Sequence, residues 1–238
     1  MRYFASEAER RPWVRALFDR TAGDYTRVER CMAFGTGAYY RRAALVRAGL
    51  VPGMRVVDVG AGTGLVAREA AALVGAPAAV VAVDPSSAML ANAVLPAGVR
   101  RLEGSAERIP LPDASADFLS MGYALRHVTD LAAASGEFLR VLRPGGIVLI
   151  LEITPPRGRI GRALLKGYLR GVVPLLARLV ARSPDMPMLM RYYWDTIEAC
   201  VPPERVLGTL EHAGFGDVRR SAELGFLSEY RAVKPGAG

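Results

Sequence analysis

The chain of 238 residues alternates between short apolar runs and stretches whose apolar positions recur at helical spacing. Met54-Arg55-Val56-Val57 alternates too little to be half-solvated and leads into Asp58, which predicts a buried parallel strand over 54–59. The Ala-rich stretch from Leu65 to Val74 predicts a helix. Further strands are expected over 79–84, near 99–103, over 116–121 and over 147–153, with helices over 86–94 and 130–142. Strands alternating with helices imply an α/β, doubly wound, largely parallel sheet of about seven strands. Residues 1–50 read as an N-terminal helical cap, with Trp13, Leu17, Phe18, Tyr39, Tyr40 and Leu45 as apolar positions and a break at Gly35 and Gly37. A helical insertion over 154–200 precedes a C-terminal helix and two strands over 201–238. No internal repeat or low-complexity linker divides the chain, so one domain is expected, with 51–153 as its ligand-binding core.

The stretch Asp58-Val59-Gly60-Ala61-Gly62-Thr63-Gly64 joins the first strand to the first core helix. Glycines let the backbone approach a ligand closely, and the helix N-terminus offers free N–H groups. The spacing is G-x-G-x-G, unlike the G-x-G-x-x-G of dinucleotide binders. Asp58, ending the strand, favours a ligand with a positive end over a pyrophosphate. S-adenosyl-L-methionine, with a cationic ammonium and sulfonium, is the candidate. Asp84 ends the second strand, where an acid accepts hydrogen bonds from ribose hydroxyls. Nicotinamide cofactors use the same device, but the G-x-G-x-G spacing after Asp58 opposes them. The other reading of Asp84-Pro85 is a cap on the helix from Ser86. Met89, one turn on, either packs on the ligand's adenine or belongs to the core.

Composition narrows the classes. Hydrophobic residues make up 51% of the chain, enough for a sizeable core. No apolar run reaches membrane-spanning length, since the longest uncharged candidate, Ala70 to Val83, contains Gly75 and Pro77. The charged N-terminus has no signal-peptide core behind it, so the cytoplasm is the expected compartment. Cys31 and Cys200 have no metal-ligand spacing and are expected as free thiols; no metal is expected. The net charge of +8 comes mostly from arginine. It reflects either a GC-rich genome's preference for that residue or attraction to an anionic surface. Without a dedicated basic module, a nucleic-acid partner is not expected.

Several further motifs carry a resemblance. They are Phe18-Asp19 with Ala22 and Tyr25, Ala106-Glu107 with Ile109-Pro110-Leu111, Leu125-Arg126-His127-Val128-Thr129-Asp130, Arg143-Pro144-Gly145-Gly146, and Leu151-Glu152. With the glycine stretch, they make Met54 to Glu152 resemble a class I S-adenosylmethionine-dependent methyltransferase with a Rossmann-like sheet. More narrowly, most of the chain resembles the ubiquinone/menaquinone biosynthesis C-methyltransferases. The resemblance implies S-adenosyl-L-methionine as donor, held by Asp58, Gly60, Gly62, Gly64, Asp84, Pro85, Met89, Ser105, Ala106, Glu107 and Met121. It also implies that Tyr25 closes over the donor and that the last strand runs antiparallel. Three positions depart from the family pattern. The quinone enzymes generally carry Arg-Asn where this chain has Arg126-His127, and often an acid where Ser105 stands. Arg191-Tyr192-Tyr193-Trp194-Asp195-Thr196 replaces a Tyr-Leu-Ala-Glu-Ser pattern.

Methyl transfer from a sulfonium requires the protein to position the acceptor and dispose of its proton. A phenol titrates near ~10 and a histidine near ~6.5, so His127 is the expected base and Arg126 the cation that stabilises a phenolate. Both lie on a loop at the carboxyl edge of the sheet, where ligands of such sheets bind. With Tyr25 they are the catalytic candidates. The other reading of His127 is a structural residue opening a helix, and His212 is expected on a helix surface. In the insertion, Ile160, Leu164, Leu165, Tyr168, Leu169 and Val172 are expected on one helix side, with Arg162, Lys166 and Arg170 along the other. No acid occurs from Arg157 to Pro184, and Pro174 is expected to break the helix. The span 154–200 reads as a lid over the acceptor, and 157–182 as a peripheral membrane contact or a plain covering helix with a solvated basic face. Met186, Met188, Met190, Tyr192, Tyr193 and Trp194 are candidates to line an apolar pocket. The expected function is methyl transfer to a small hydrophobic aromatic or lipid-like acceptor, foremost a (prenyl)quinol carbon. The alternatives are a secondary-metabolite O-, N- or C-methyltransferase and a phospholipid amine N-methyltransferase. Assembly into a homodimer is left open.

Overall fold

Buried β-branched runs build the sheet. In the computed structural model, which describes residues 3, 4 and 6–236, β1 (Val56–Val59) and β2 (Val80–Asp84) are buried at every position. β4 (Ala116–Gly122) is buried at all but its last residue. β3 (Arg100–Glu103) is mostly exposed and charged, as suits a sheet edge. With β5 (Leu142–Ile153), β6 (Gly216–Glu223) and β7 (Leu227–Val233), the strands form one seven-stranded sheet in the order β3-β2-β1-β4-β5-β7-β6. The first five are parallel, and β7 pairs antiparallel with both β5 and β6.

Helices cover both faces. α2 (Gly37–Ala48) and α3 (Leu65–Val74) bury Ala44, Leu45, Ala67 and Ala70 against one face. On the other face, α5 (Leu131–Val141) and α9 (Pro203–His212) bury Phe138, Val206 and Leu210. α4 (Ser87–Ala91) is a short turn of helix capped by the Ser86 hydroxyl, which accepts from the Met89 N–H at 3.0 Å. A third apolar layer packs α1 (Glu7–Met32) and α8 (Met186–Glu198) with α6 (Arg159–Gly167) and α7 (Val173–Val180). Among the described residues, no helix is long and apolar enough to cross a membrane.

Three local expectations need correction. Pro174 does not break the insertion helix. A π-helical segment, Tyr168–Val172, joins α6 to α7, and its wider turn makes room for a ring that would clash in a regular helix. The apolar residues of that helix divide between two faces. Leu169, Val173 and Ala177 are buried, whereas Ile160, Leu164, Val172, Leu175 and Leu179 are exposed. Finally, Arg143-Pro144-Gly145-Gly146 is a bulge inside β5 rather than a turn before it, because the ladder to β4 skips from Leu142 to Ile147. The bulge is fastened by the Gly145 N–H to the Lys234 carbonyl and by Arg143 to Asp117, each at 2.8 Å. It lies at the amino end of β5, the edge opposite to the ligand site.

Phe138 is fully buried between α5 and the sheet. Phe138→Ala is expected to cost about 3–5 kcal/mol, seen as a lower urea midpoint at unchanged slope. A loss under ~1 kcal/mol would contradict this packing.

Candidate active site

At the carboxyl edge of the sheet lies a cavity of about 510 Å³, within the range of small-molecule sites. Its floor is the loop after β1, Asp84-Pro85-Ser86 after β2, Ser105-Ala106-Glu107 after β3, and Met121 to Ala124 after β4. Its cover is α1, through Arg10, Arg11, Val14, Arg15, Phe18 and Tyr25. None of the residues from 154 to 200 borders it. The cover of this cavity is thus α1 and not the 154–200 span.

The glycine loop is shaped as its sequence predicts. Gly60 and Gly62 have φ of +67° and +55°. A Cβ on Gly60 would lie 2.5 Å from that of Ala124, and one on Gly62 would lie 3.3 Å from the Met89 methyl. Gly64, at φ +80°, has a different role. It is absent from the cavity wall, and a Cβ there would strike the Leu95 side chain at 2.6 Å. Tight packing at the start of α3 requires it, not the ligand.

Two buried carboxylates border the cavity. Asp58 accepts from the Ser120 hydroxyl at 2.7 Å and from the Ala67 N–H at 3.0 Å. It thus ties β1 to β4 and to the first turn of α3, and burial pushes its carboxyl up to about 7. Asp84 accepts from the Gly62 N–H and the Ser86 N–H, both at 2.8 Å. Burial raises it to about 6, against the pull of those two bonds. A carboxylate has about four lone-pair sites, so two remain for hydroxyl donors. The capping reading of Asp84 holds in part: it braces the start of α4, but the cap itself is Ser86.

A polar seam straps α1 across the site. Arg11 reaches Glu107 at 3.0 Å and the Thr129 hydroxyl at 2.9 Å; Arg15 reaches Glu103 at 2.7 Å. Asp19 meets the Ser86 hydroxyl, and the Thr26 hydroxyl donates to that of Thr63 at 2.9 Å. Glu107 also accepts from the Thr129 N–H at 3.1 Å, so it locks the cavity rim.

The cavity wall after β4 centres on Arg126. Its guanidinium donates to Glu152 at 2.7 Å, with both side chains 1% exposed, and lies 4.0 Å from the centroid of Tyr193. Its Nε is buried without a hydrogen-bond partner. The His127 ring packs edge-on to Phe18 and stacked on Tyr192, at centroid distances of 5.4 and 5.9 Å, and neither ring nitrogen has a hydrogen-bond partner. Burial, then Arg126 and Arg10, hold its pKa well below the usual imidazole value. The expected titration near 6.5 is thus displaced, and the ring stays neutral. Tyr25 borders the cavity beside Phe18, and burial pushes its hydroxyl above the usual tyrosine range. None of Met186, Met188, Met190, Tyr192, Tyr193 and Trp194 touches the cavity; Tyr192 and Tyr193 back His127 and Arg126 from behind. His212 is at the exposed end of α9, outside the site.

Among the wall residues that the sequence reading did not single out, three bear on the site's shape. Thr63 completes the glycine loop. Tyr123 follows β4 at φ +60°, a backbone region that costs a non-glycine residue about 1–3 kcal/mol. Arg41 is buried in α2, paired with Glu29, with its guanidinium carbon 5.6 Å from the Tyr123 ring centroid and its Nε unpartnered. A Cβ on Gly37 would meet both Arg41 and Glu29 at 2.7 Å. The available signal was Arg41 sharing a helix face with the apolar Ala44, Leu45 and Ala48.

This topology, with a glycine-lined cavity bordered by acids at the carboxyl edge, is the architecture of class I S-adenosylmethionine-dependent methyltransferases. A model of the ubiE/COQ5 methyltransferase family matches residues 5–234, and the chain belongs to that family. It is similar to the demethylmenaquinone methyltransferase of Mycobacterium sp. (strain KMS), 34% identical over 223 residues, or 93% of this chain and 94% of that one. It is also similar to the ubiquinone/menaquinone biosynthesis C-methyltransferase UbiE of Syntrophotalea carbinolica, 36% identical over 227 residues, with 93% and 94% covered. Among solved structures, a possible histamine N-methyltransferase of Thermotoga maritima superposes with a TM-score of 0.61 at 22% identity, covering 92% of this chain and 99% of that one. Phosphoethanolamine N-methyltransferase 2 of Haemonchus contortus, solved with S-adenosyl-L-methionine, gives 0.59 at 20% identity, with 83% and 52% covered. These structures share the fold. The protein is an S-adenosylmethionine-dependent methyltransferase, and the desolvated acids and glycine cradle fit that donor.

Ribose hydroxyls require Asp84 ionised. Donor affinity is therefore expected to be full above pH ~7 and to fall as pH drops through about 6. Asp84→Asn should weaken donor binding about 10–100-fold and flatten that dependence, as read by calorimetry. A variant with wild-type affinity would remove Asp84 from the donor site.

Proposed function

We propose that the acceptor is a prenylated quinol and that one of its ring carbons receives the methyl group. The observation that carries this is the pair Arg126 and His127 on the cavity wall with Phe18, Val14 and Tyr25, their Nε and imidazole nitrogens buried without a hydrogen-bond partner. An apolar chamber with one cationic donor and one neutral imidazole suits a hydrophobic phenol. The two relatives, a demethylmenaquinone methyltransferase and a ubiquinone/menaquinone biosynthesis C-methyltransferase, support the same acceptor class.

S-adenosyl-L-methionine supplies an electrophilic methyl group with its own leaving group. Donor binding falls to Gly60, Gly62, Asp84, Pro85, Met89, Ser105, Ala106, Glu107 and Met121, all on the cavity wall, with Asp58 beneath them. On the acceptor side, Arg126 donates Nε–H to one hydroxyl oxygen and stabilises it as the oxyanion. That charge raises electron density at the neighbouring ring carbon, which forms the new carbon–carbon bond as the donor's methyl–sulfur bond breaks; the displaced ring proton leaves to water and the oxygen regains its own, so one proton is released in all. His127 accepts a hydrogen bond from the acceptor hydroxyl. Lasting protonation of His127 is opposed, because it would place a second buried cation beside Arg126. The asparagine that the quinone enzymes generally carry there cannot take up a proton either, which supports a hydrogen-bonding rather than a basic role. Tyr25 closes the cavity above the reacting groups.

Incubation with methyl-labelled donor and a demethylated prenylquinol is expected to place the label on a ring carbon. Transfer only to phosphoethanolamine or to a phenolic oxygen would overturn the reading. Within it, His127→Ala should lower turnover about 10²-fold with donor affinity unchanged, and His127→Asn should recover most of that loss. Because the imidazole is neutral above its depressed pKa, the wild-type rate should show no His127 titration from pH 7 upward. An asparagine variant as inactive as the alanine variant would instead make His127 the base.

A further inference from the structure

The outward face of the insertion helix is apolar where solvent should meet it. Ile160, Leu164, Leu175 and Leu179 are 79%, 70%, 59% and 74% exposed, and Val172 is 46% exposed. Single exposed leucines are ordinary, but a contiguous apolar stripe is not. These five recur at spacings of three, four or eight residues, so they fall on one side of the helix. The π-helical segment keeps the helix continuous through Pro174, so the stripe runs unbroken from α6 into α7. Tyr168 lies within it at 6.1 Å from Phe34, which projects 78% exposed from the turn between α1 and α2.

The charge around the stripe is one-sided. Arg162 pairs with Glu198 at 2.9 Å, and Arg157 approaches Glu204 at 3.9 Å. The exposed Arg159, Arg170 and Arg178 have no acidic partner among the described residues, and no acid occurs from 157 to 184. An apolar stripe flanked by uncompensated arginines is the pattern of a helix lying in a membrane interface. A second copy of this chain fits poorly, since a two-fold interface sets the same patch against itself and would oppose arginine rows with no acid between them. Nucleic acid would match the arginines but leave the leucines unburied.

We infer that the α6–α7 face, with Phe34 beside it, docks on an anionic lipid surface. Leu164, Leu175 and Leu179 enter the acyl boundary, and Arg159, Arg170 and Arg178 meet the headgroup phosphates. The physiological use of this contact rests on the lipid-acceptor reading, because a prenylated quinol is itself dissolved in the bilayer. The contact does not depend on that reading, since the stripe contributes nothing to the cavity wall.

Flotation with two vesicle types tests it: phosphatidylcholine alone, and phosphatidylcholine mixed equally with phosphatidylglycerol. The full chain should float with the mixed vesicles, more weakly as salt rises, and stay behind with the neutral ones. The triple variant Leu164→Glu, Leu175→Glu, Leu179→Glu should lose about tenfold or more of that binding. Its donor affinity and its turnover of a short-chain, water-soluble acceptor should be unchanged. Equal binding to neutral vesicles, no binding to either, or undiminished flotation of the triple variant would each overturn the inference. A dimer in sedimentation that the triple variant splits would do the same and assign the face to a second copy. Failure to methylate any quinol alongside intact, stripe-dependent flotation would sink the acceptor reading and leave the docking face standing.

Discussion

The loop after β4, which carries Arg126 and His127 to the cavity, hangs on one buried ion pair, Arg126 with Glu152. The Glu152 carboxylate accepts from the guanidinium at 2.7 Å, from the Arg126 N–H at 3.2 Å and from the Ile153 N–H at 2.8 Å. Such a pair adds little net stability over an apolar replacement, yet removing one partner costs about 3–5 kcal/mol. What it secures is position. It pins the loop after β4 to the end of β5, seats the guanidinium on Tyr193 of α8, and leaves Nε buried without a hydrogen-bond partner. His127 follows from the same anchor: with Arg126 fixed, its ring falls between Phe18 of α1 and Tyr192 of α8.

The donor side is built independently and by other means. Backbone conformations at Gly60 and Gly62 shape the cradle, and Asp84 fastens that loop to β2 through the Gly62 N–H. α1 then closes over it through Arg11–Glu107, Arg15–Glu103, Asp19–Ser86 and Thr26–Thr63. The two ion pairs of this seam are partly exposed and individually weak; α1 is held chiefly by its buried Leu17 and Val28 in the apolar layer it shares with α7 and α8.

The sheet was legible because its signals are local: buried β-branched runs, a helix after each, and glycines where the chain must turn on positive φ. The residues of the cavity floor were legible for the same reason, since they sit at strand ends whose order along the chain fixes their place. Other features depend on partners far away in sequence. That α1, rather than 154–200, covers the cavity cannot be read from either segment's own periodicity. The division of the α6–α7 residues into buried Leu169, Val173 and Ala177 and exposed Ile160, Leu164, Leu175 and Leu179 is set by where α1 and α8 pack. The aromatic run at 192–194 gave a correct sense of proximity but a wrong layer, because stacking behind Arg126 and His127 looks the same in one dimension as lining a pocket. His127 gave its chemistry but not its pKa, which burial and a neighbouring cation decide.

If the two halves are separable and Arg126–Glu152 organises only the acceptor half, Glu152→Gln is the decisive variant. It keeps the shape of the side chain while removing the charge that holds the guanidinium. A displacement of about 1 Å in a positioning group can cost on the order of 10²-fold in rate. The account predicts a loss of that size in turnover of the prenylated quinol, measured beside calorimetric donor affinity that stays within about threefold of wild type. Turnover at the wild-type level, or donor affinity falling in step with turnover, would contradict it.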